Sequence, residues 1–403
     1  VTSMREHQKY FPVAGADGKL LPLFVAVNNT RIDDLALAAS GHQRVLRARL
    51  EDGLFFYNED RKRPLADRCP ELQGIVFQNK LGTMLAKSER MVRLAGTLAQ
   101  AIVPAQLQDV QRVATLAKAD LLSAMVGEFP TLQGIMGRVY ALHDGEKPEV
   151  AQAIEEHYLP VRAGGEIPQN MLGALVGLAD RLDTLVGCFA IGEKPTGNKD
   201  AFGLRRQAIG LISIIKGLHI AFSLKEMAAA ALQGYSGVVE NNPVVVDEVL
   251  AFIRLRFEND LVAGGLPQEL VEAATAVGFD NMIDCLKRIE ALDQIRTQES
   301  FSVLAGSFKR IRNIIKDNKE TAIDQARFVE AAERQLFTAF SGVQTKALPL
   351  IKQQEYSAAL LALLEMKEPV DQFFEQVMVM ADDATVRQNR LNLLTAIGDL
   401  VLL

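Results

Sequence analysis

The residues of this chain that could do chemistry cluster between positions 118 and 183. From Pro148, the positions Val150, Ala153, Ile154, His157 and Tyr158 fall at i, i+3, i+4, i+7 and i+8, so an imidazole sits on the apolar face of a helix. A second helical pattern starts at Met171, with Leu175, Leu178, Ala179, Leu182, Leu185, Val186 and Phe189 on one stripe. Asp180 and Asp183 stand one turn apart at the edge of that stripe. Imidazole and carboxylates are ligands of divalent ions, and metal-assisted hydrolysis is the chemistry such a set would support. Upstream, Lys118-Ala119-Asp120 supplies a further carboxylate, but with an ammonium beside it.

A histidine, a Gly-containing turn and a helix reading ADxxD resemble the second half of an HD-type metal-dependent phosphohydrolase domain. The first half requires an adjacent His-Asp pair, and here Lys118 and Asp120 stand in its place. The pair His143-Asp144 lies in the loop ALHDGEKP, between helices, and is the wrong one. A fixed ammonium where a cation would sit opposes metal binding. The expectation is a degenerate HD-like scaffold comprising Lys118, Asp120, His157, Asp180 and Asp183, with no catalytic residue and no metal.

The elements that must position these residues are almost all helices. RAGGEIP is a turn between the two patterns above, and PTGNKDAFG leads into a further helix with Arg205 and Arg206 in its early turns. Residues 1–40 are the least helical part: PLFVAVNN follows a DG turn as a strand, and Phe11-Pro12 is an extended pair. GHQRVLRARLEDGLFFYNEDRKR places Val45, Leu46, Leu50, Leu54 and Phe55 at helical spacing, with Arg44, Arg47 and Arg49 opposite, either as a phosphate-binding face or as a solvated one. In IVFQNKLGTMLAKSERMVRLAGTLAQAI, Lys80, Lys87, Arg90 and Arg93 are spread around a long helix. VDEVLAFIRLRFEND buries Val249, Phe252, Ile253 and Phe257 and turns Arg254 and Arg256 outward. SFKRIRNIIKD gathers Lys309, Arg310, Arg312 and Lys316 around apolar Ile311, Ile314 and Ile315.

Composition narrows the function. The chain has 403 residues, 49% of them hydrophobic, enough for several domains. No apolar run reaches membrane-spanning length and no signal peptide is visible, so no membrane role is expected. Cys69, Cys188 and Cys285 are widely spaced, as for buried thiols of a reducing cytoplasm. The net charge of −6 gives no global basic signature, so a nucleic-acid role needs local patches. There is no GxxxxGK[ST], GxGxxG after a strand, GxSxG, HExxH or zinc-type spacing, and the five histidines (His7, His42, His143, His157, His219) form no local cluster. A binding or accessory subunit fits these facts better than a self-contained enzyme.

Seven collinear blocks carry a resemblance over essentially the whole length: MREHQKYFPV (4–13), GKLLPLFVAVNN (18–29), RVLRARLEDGLFFYNEDRK (44–62), FQNKLGT (77–83), KADLLSAMVGEFPTLQGIMGRVYA (118–141), LADRLDTLVGCFAIGEKPTGNKDAFGLRRQAIG (178–210) and FFEQVMVMADDATVRQNRLNLL (373–394). On these blocks the chain resembles the beta subunit of bacterial heterotetrameric glycyl-tRNA synthetase, truncated at its N-terminus and a little short at its end. The resemblance implies a partner alpha subunit that carries the class II aminoacylation core with ATP, magnesium and glycine, and a beta chain that recognises tRNA-Gly without a cofactor of its own. It implies a mainly α, multi-domain protein: a small α/β remnant (1–40), a helical linker (41–100), the degenerate HD-like domain (101–220), a helical body (221–290) and a helical anticodon-binding domain (291–403). Under it, Lys309, Arg310, Arg312, Lys316, Arg387 and Arg390 become contacts to tRNA phosphate and unstacked bases. Lys199, Arg205 and Arg206 become phosphate contacts at a helix N-terminus, against a structural salt bridge from Arg205 or Arg206 to Asp200 or Asp183. Two other functions stay open: an HD-type phosphohydrolase, and a pure assembly scaffold.

Overall fold

In the computed structural model, the described residues are all but 3, 6, 7, 298, 402 and 403; side chains 299, 300 and 302–304 are likewise outside the description. His7 therefore lies outside the described residues. The chain divides into two compact units, Val1–Ile253 and Arg254–Leu403. Both are helical, and the sheets among the described residues are two small antiparallel pairs.

Unit 1 opens with the hairpin β1 (Phe11–Ala14) and β2 (Leu20–Val25), whose turn uses Gly18 at φ +75°. The turn and the extended Phe11-Pro12 pair are as the DG and aromatic-Pro signals predict. Helix α1 (Leu35–Asp60) is capped by Asp34, which accepts from the N–H groups of Ala36 and Leu37. Its apolar stripe is not buried: Val45, Leu50, Leu54 and Phe55 are exposed, and only Leu46 of that set is covered. The short α2 (Leu65–Arg68) and the pair β3 (Val76–Gln78) and β4 (Gly82–Thr83) lead into α3 (Met84–Ile102), α4 (Leu107–Leu116), α5 (Ala124–Glu128), α6 (Ile135–His143) and α7 (Pro148–Glu156).

Helix α8 (Met171–Ala190) is the axis of the unit. It is apolar nearly all round, as a helix must be when it is covered on every side. Helices α3, α4 and α7 pack on it, joined by α9 (Leu204–Leu218) and α10 (Leu224–Gln233). Glycines allow the approach: a Cβ on Gly173 would meet Glu156 at 2.9 Å, and one on Gly187 would meet Tyr235 Oη at 2.3 Å. Helix α11 (Val244–Ala263) runs across the division between units.

Unit 2 continues with α12 (Gln268–Val277), α13 (Met282–Ile295), α14 (Glu299–Ile315), α15 (Ala331–Lys352), α16 (Tyr356–Leu363), α17 (Lys367–Gln376) and α18 (Ala384–Val401). One core joins Ile311 and Ile315 of α14 to Leu336 and Phe340 of α15, Phe373 of α17, and Leu393, Leu394 and Ile397 of α18. Amides lock its edge. Asn318 Nδ2 donates to Thr395 Oγ1 at 2.8 Å, and Gln388 Nε2 donates to Asn318 Oδ1 at 2.9 Å. Asn389 ties the loop at Asp324, accepting from its N–H at 2.8 Å and donating to its carbonyl at 3.0 Å.

Candidate functional site

The HD-like residues do meet, around the middle of α8. His157 closes α7 and is fully buried, with Nδ1 2.6 Å from the Ile154 carbonyl. A carbonyl can only accept, so Nδ1 carries the hydrogen and Nε2 presents a lone pair. Lys118 Nζ lies 2.9 Å from that Nε2 and 2.7 Å from Asp180 Oδ2. The ammonium thus occupies the space where a cation bridging His157 and Asp180 would have to sit. Burial, and then the Lys118 charge, push the His157 imidazole well below its ordinary range, so it is neutral. Among the described residues no three His, Cys, Asp or Glu side chains are grouped to hold a metal ion.

The cluster is larger than those positions. Lys87 Nζ bonds Asp180 Oδ1 at 2.7 Å, Asp183 Oδ2 at 3.1 Å and Thr184 Oγ1 at 2.8 Å. Arg90 reaches both oxygens of Asp183, at 2.7 and 3.3 Å, and Tyr235 Oη donates to Asp183 Oδ2 at 3.0 Å. Asp183 therefore lies inside the core, with 1% of its side chain exposed, not at the stripe's edge. Burial opposes ionisation of Asp180, but the Lys118 and Lys87 ammoniums outweigh it and hold the carboxyl well below the usual carboxylate range. For Lys87, burial is outweighed in turn by the two carboxylates, and its ammonium is held above the usual range.

Lys87, Arg90 and Tyr235 were not marked as a site by their sequence pattern. A signal was present nonetheless: Lys87 and Arg90 are three residues apart on α3, as Asp180 and Asp183 are on α8, so facing helices match charge turn by turn. Periodicity alone spread these cations around the helix without saying which are covered, and both are buried. Asp120 has a different partner set. Its Oδ2 accepts from the N–H groups of Gly134 and Gly137, at 2.6 and 3.1 Å, holding the start of α6. The loop pair His143-Asp144 is structural: Asp144 accepts from the N–H of Leu65 at 2.7 Å, and His143 Nδ1 accepts from Arg61 at 3.0 Å.

The cationic candidates separate by burial. At the N-terminus of α9, the anion position is filled from within: Asp200 accepts from the N–H groups of Leu204 and Arg205, at 2.7 and 3.0 Å. Arg205 lies 4.0 Å from Asp200 and donates to the Gly197 carbonyl at 2.8 Å, so the structural salt bridge is the one formed. Lys199 and Arg206 are exposed. In unit 2, Lys309, Arg310 and Arg312 project from the exposed side of α14, and Lys316 follows its end at φ +48°. Arg310 stacks over Phe374, 4.1 Å from the ring centroid. Arg387 is half-buried and donates to the Ala381 carbonyl. Arg390 is buried, forked onto Glu333 at 2.9 and 3.2 Å and donating to the Met378 carbonyl. In this fold Arg390 serves the core and is not presented to a ligand.

The class of protein emerges from the second unit first. Residues 305–401, within the bundle that displays the α14 cations, match the DALR anticodon binding domain. Residues 1–276 match the glycyl-tRNA synthetase beta subunit family. The chain is 48% identical over 401 residues to a glycine–tRNA ligase beta subunit of a Geobacter species, covering 99% of this chain and 58% of that protein. It is 46% identical to that of Syntrophotalea carbinolica and 45% identical to that of Moorella thermoacetica, covering 58% and 59% of them. The chain belongs to the glycyl-tRNA synthetase beta subunit family, and it spans a little under three-fifths of the length of these relatives.

Proposed function

We propose that this chain is the tRNA-binding part of a cytoplasmic glycyl-tRNA synthetase. In this reading it recognises tRNA-Gly for an ATP-dependent glycylation whose active site, with ATP and magnesium, lies on a separate alpha subunit. The same reading expects no cofactor on this chain; no helix among the described residues is long and apolar enough to cross a membrane.

The supporting observation is the division of labour among cations. Those near the HD-like position (Lys87, Arg90 and Lys118) are locked onto buried carboxylates. Those on α14 (Lys309, Arg310 and Arg312) are exposed, and no carboxylate pairs with them among the described residues. An exposed row of cations beside an aromatic ring suits a strand of phosphates with unstacked bases, which stack on aromatic and guanidinium planes. Lys316 is exposed just past the end of α14, Arg387 is half-buried on α18, and Lys199 is an exposed cation of unit 1.

The test is binding of tRNA-Gly and a non-cognate tRNA to the chain across a salt series. Binding should prefer tRNA-Gly and weaken steeply with salt, because each neutralised phosphate releases counterions. Lys309→Glu with Arg312→Glu should lower affinity and flatten the salt slope while leaving the melting temperature in place. Absence of tRNA binding at low salt would favour an assembly scaffold. The phosphohydrolase alternative is opposed by the Lys118 ammonium between His157 and Asp180.

A further inference from the structure

The thioethers of this protein sort by burial as the cations do. Of the eleven methionines, only Met378 and Met380 are exposed, at 76% and 61%. The other nine are buried or half-buried. The exposed two lie between α17 and α18, where burial alternates along residues 377–380. Val377 and Val379 turn inward and join the core of unit 2, so both thioethers are left on its outside. The backbone that carries them is pinned to α18. Arg390 Nη1 donates to the Met378 carbonyl at 2.8 Å, and Arg387 Nη1 donates to the Ala381 carbonyl at 2.8 Å. Asp383 then caps the helix, accepting from the N–H groups of Thr385 and Val386 at 2.7 and 3.2 Å. A chemical change at either sulfur is therefore displayed on the surface and not absorbed by the core.

Hydrogen peroxide makes such a change at any thioether it can reach. The sulfur lone pair attacks the peroxide, an S–O bond forms as the O–O bond breaks, and the released hydroxide takes the proton from the transferred oxygen and leaves as water. Sulfur loses two electrons, and a polar sulfoxide replaces an apolar group. The place of this chemistry gives it a consequence. The segment lies immediately beyond the α17 turn whose Phe374 holds Arg310, and its two valines share one core with Ile311 of α14. A polarizable thioether suits contact with a flat ring, whereas a sulfoxide oxygen brings partial negative charge and is costly to desolvate. Resting on the tRNA reading above, we propose that peroxide oxidation of Met378 and Met380 regulates the RNA affinity of unit 2. The thioether state binds, and the sulfoxide state binds more weakly. A thiol-dependent sulfoxide reductase reverses the mark, the oxygen leaving as water while two thiols become a disulfide.

The test treats the 403-residue chain with hydrogen peroxide, maps oxygen uptake at each methionine by peptide mass spectrometry, and titrates tRNA-Gly before and after. Met378 and Met380 should oxidise about tenfold faster, or more, than the buried Met91 and Met366. The melting temperature should stay in place while affinity for tRNA-Gly falls about threefold or more. Met378→Leu with Met380→Leu, which keeps apolar side chains of similar size at both exposed positions, should bind as the untreated chain does and lose the response to peroxide. Oxidation spread evenly over the methionines, equal affinity before and after treatment, or a full response in the double variant would each overturn the proposal. If the untreated chain bound no tRNA, the regulation would fall together with the tRNA reading; binding that ignores peroxide overturns the regulation alone.

Discussion

At the residue scale, the ion pairs inside this protein matter for folding. Asp183 is held by Lys87, Arg90 and Tyr235 together, so Asp183→Asn leaves buried Arg90 without a carboxylate and Lys87 with Asp180 alone. Breaking such a pair from one side costs roughly 3–5 kcal/mol, and urea unfolding should show a loss of that order. Asp183→Asn should lose more than Asp180→Asn, because part of the Asp180 side chain reaches a cavity in unit 1. Equal or negligible losses would mean that the cluster is not holding α3 on α8. Asp120 responds to pH in its own way. Burial pushes its carboxyl up to about 6, against the two N–H groups that favour the ionised form. Native Asp120 therefore holds a proton that the unfolded chain has already released above its ordinary value of about 4. Its contribution is fully present below that value and is lost as pH rises toward 6. His157 has the opposite sign: kept neutral when folded, it costs stability as pH falls below about 6.5, where the unfolded chain takes up the proton. Relative to the natural chain, Asp120→Asn should gain about 1 kcal/mol between pH 5 and pH 7. Denaturation at the two pH values checks this, and a constant difference would rule it out.

At the element scale, α8 is where approach distances are set. Tyr235 reaches Asp183 across the position where Gly187 has no side chain. Gly187→Ala forces a methyl into the tyrosine ring, and overpacking of this kind costs about 1–3 kcal/mol. The expected signature is a lowered melting temperature with altered Tyr235 fluorescence or chemical shift; an unchanged tyrosine environment would mean that the helix shifts instead. In unit 2, Glu333 closes the N-terminus of α15 through the N–H groups of Val329 and Glu330 while holding Arg390 of α18. Burial works against its charge, but the Arg390 guanidinium and these N–H groups keep the carboxyl below its ordinary range. Arg390→Met should therefore destabilise unit 2, by roughly 3–5 kcal/mol if the buried carboxylate is left unpaired. Any loss of tRNA affinity in that variant should accompany unfolding, whereas Arg312→Glu should lose affinity with the fold intact.

At the scale of the whole molecule, two units carry different surfaces. Unit 2 presents cations from a covered core, while unit 1 leaves Phe11, Leu23, Leu50, Leu54 and Phe55 of the hairpin and α1 exposed. Scattered apolar residues are ordinary on protein surfaces, but a row along one helix and its neighbouring hairpin is the pattern of a face that another element covers. The exposed cations of α14 belong to unit 2 and that face to unit 1. Salt-dependent tRNA binding should therefore survive polar substitution of Leu50 and Leu54, as filter or calorimetric titration would show.

The sequence by itself determined the helical class, the hairpin at the DG turn and the two helices that bring His157 and Asp180 together. Those features are local: capping, turn chemistry and the period of apolar residues act within a few positions. The seven collinear blocks likewise indicated the family to which the chain belongs. The structure alone decided which charges are inside. Lys87 and Arg90 are merely cations spread around a helix until α3 lies on α8, and Arg390 reads like Arg312 until Glu333 faces it from another helix. Burial of a charge depends on a partner far away in the chain, and helical spacing carries no record of what a face will meet. For the same reason, the stripe of α1 is apolar in sequence and yet uncovered in the fold.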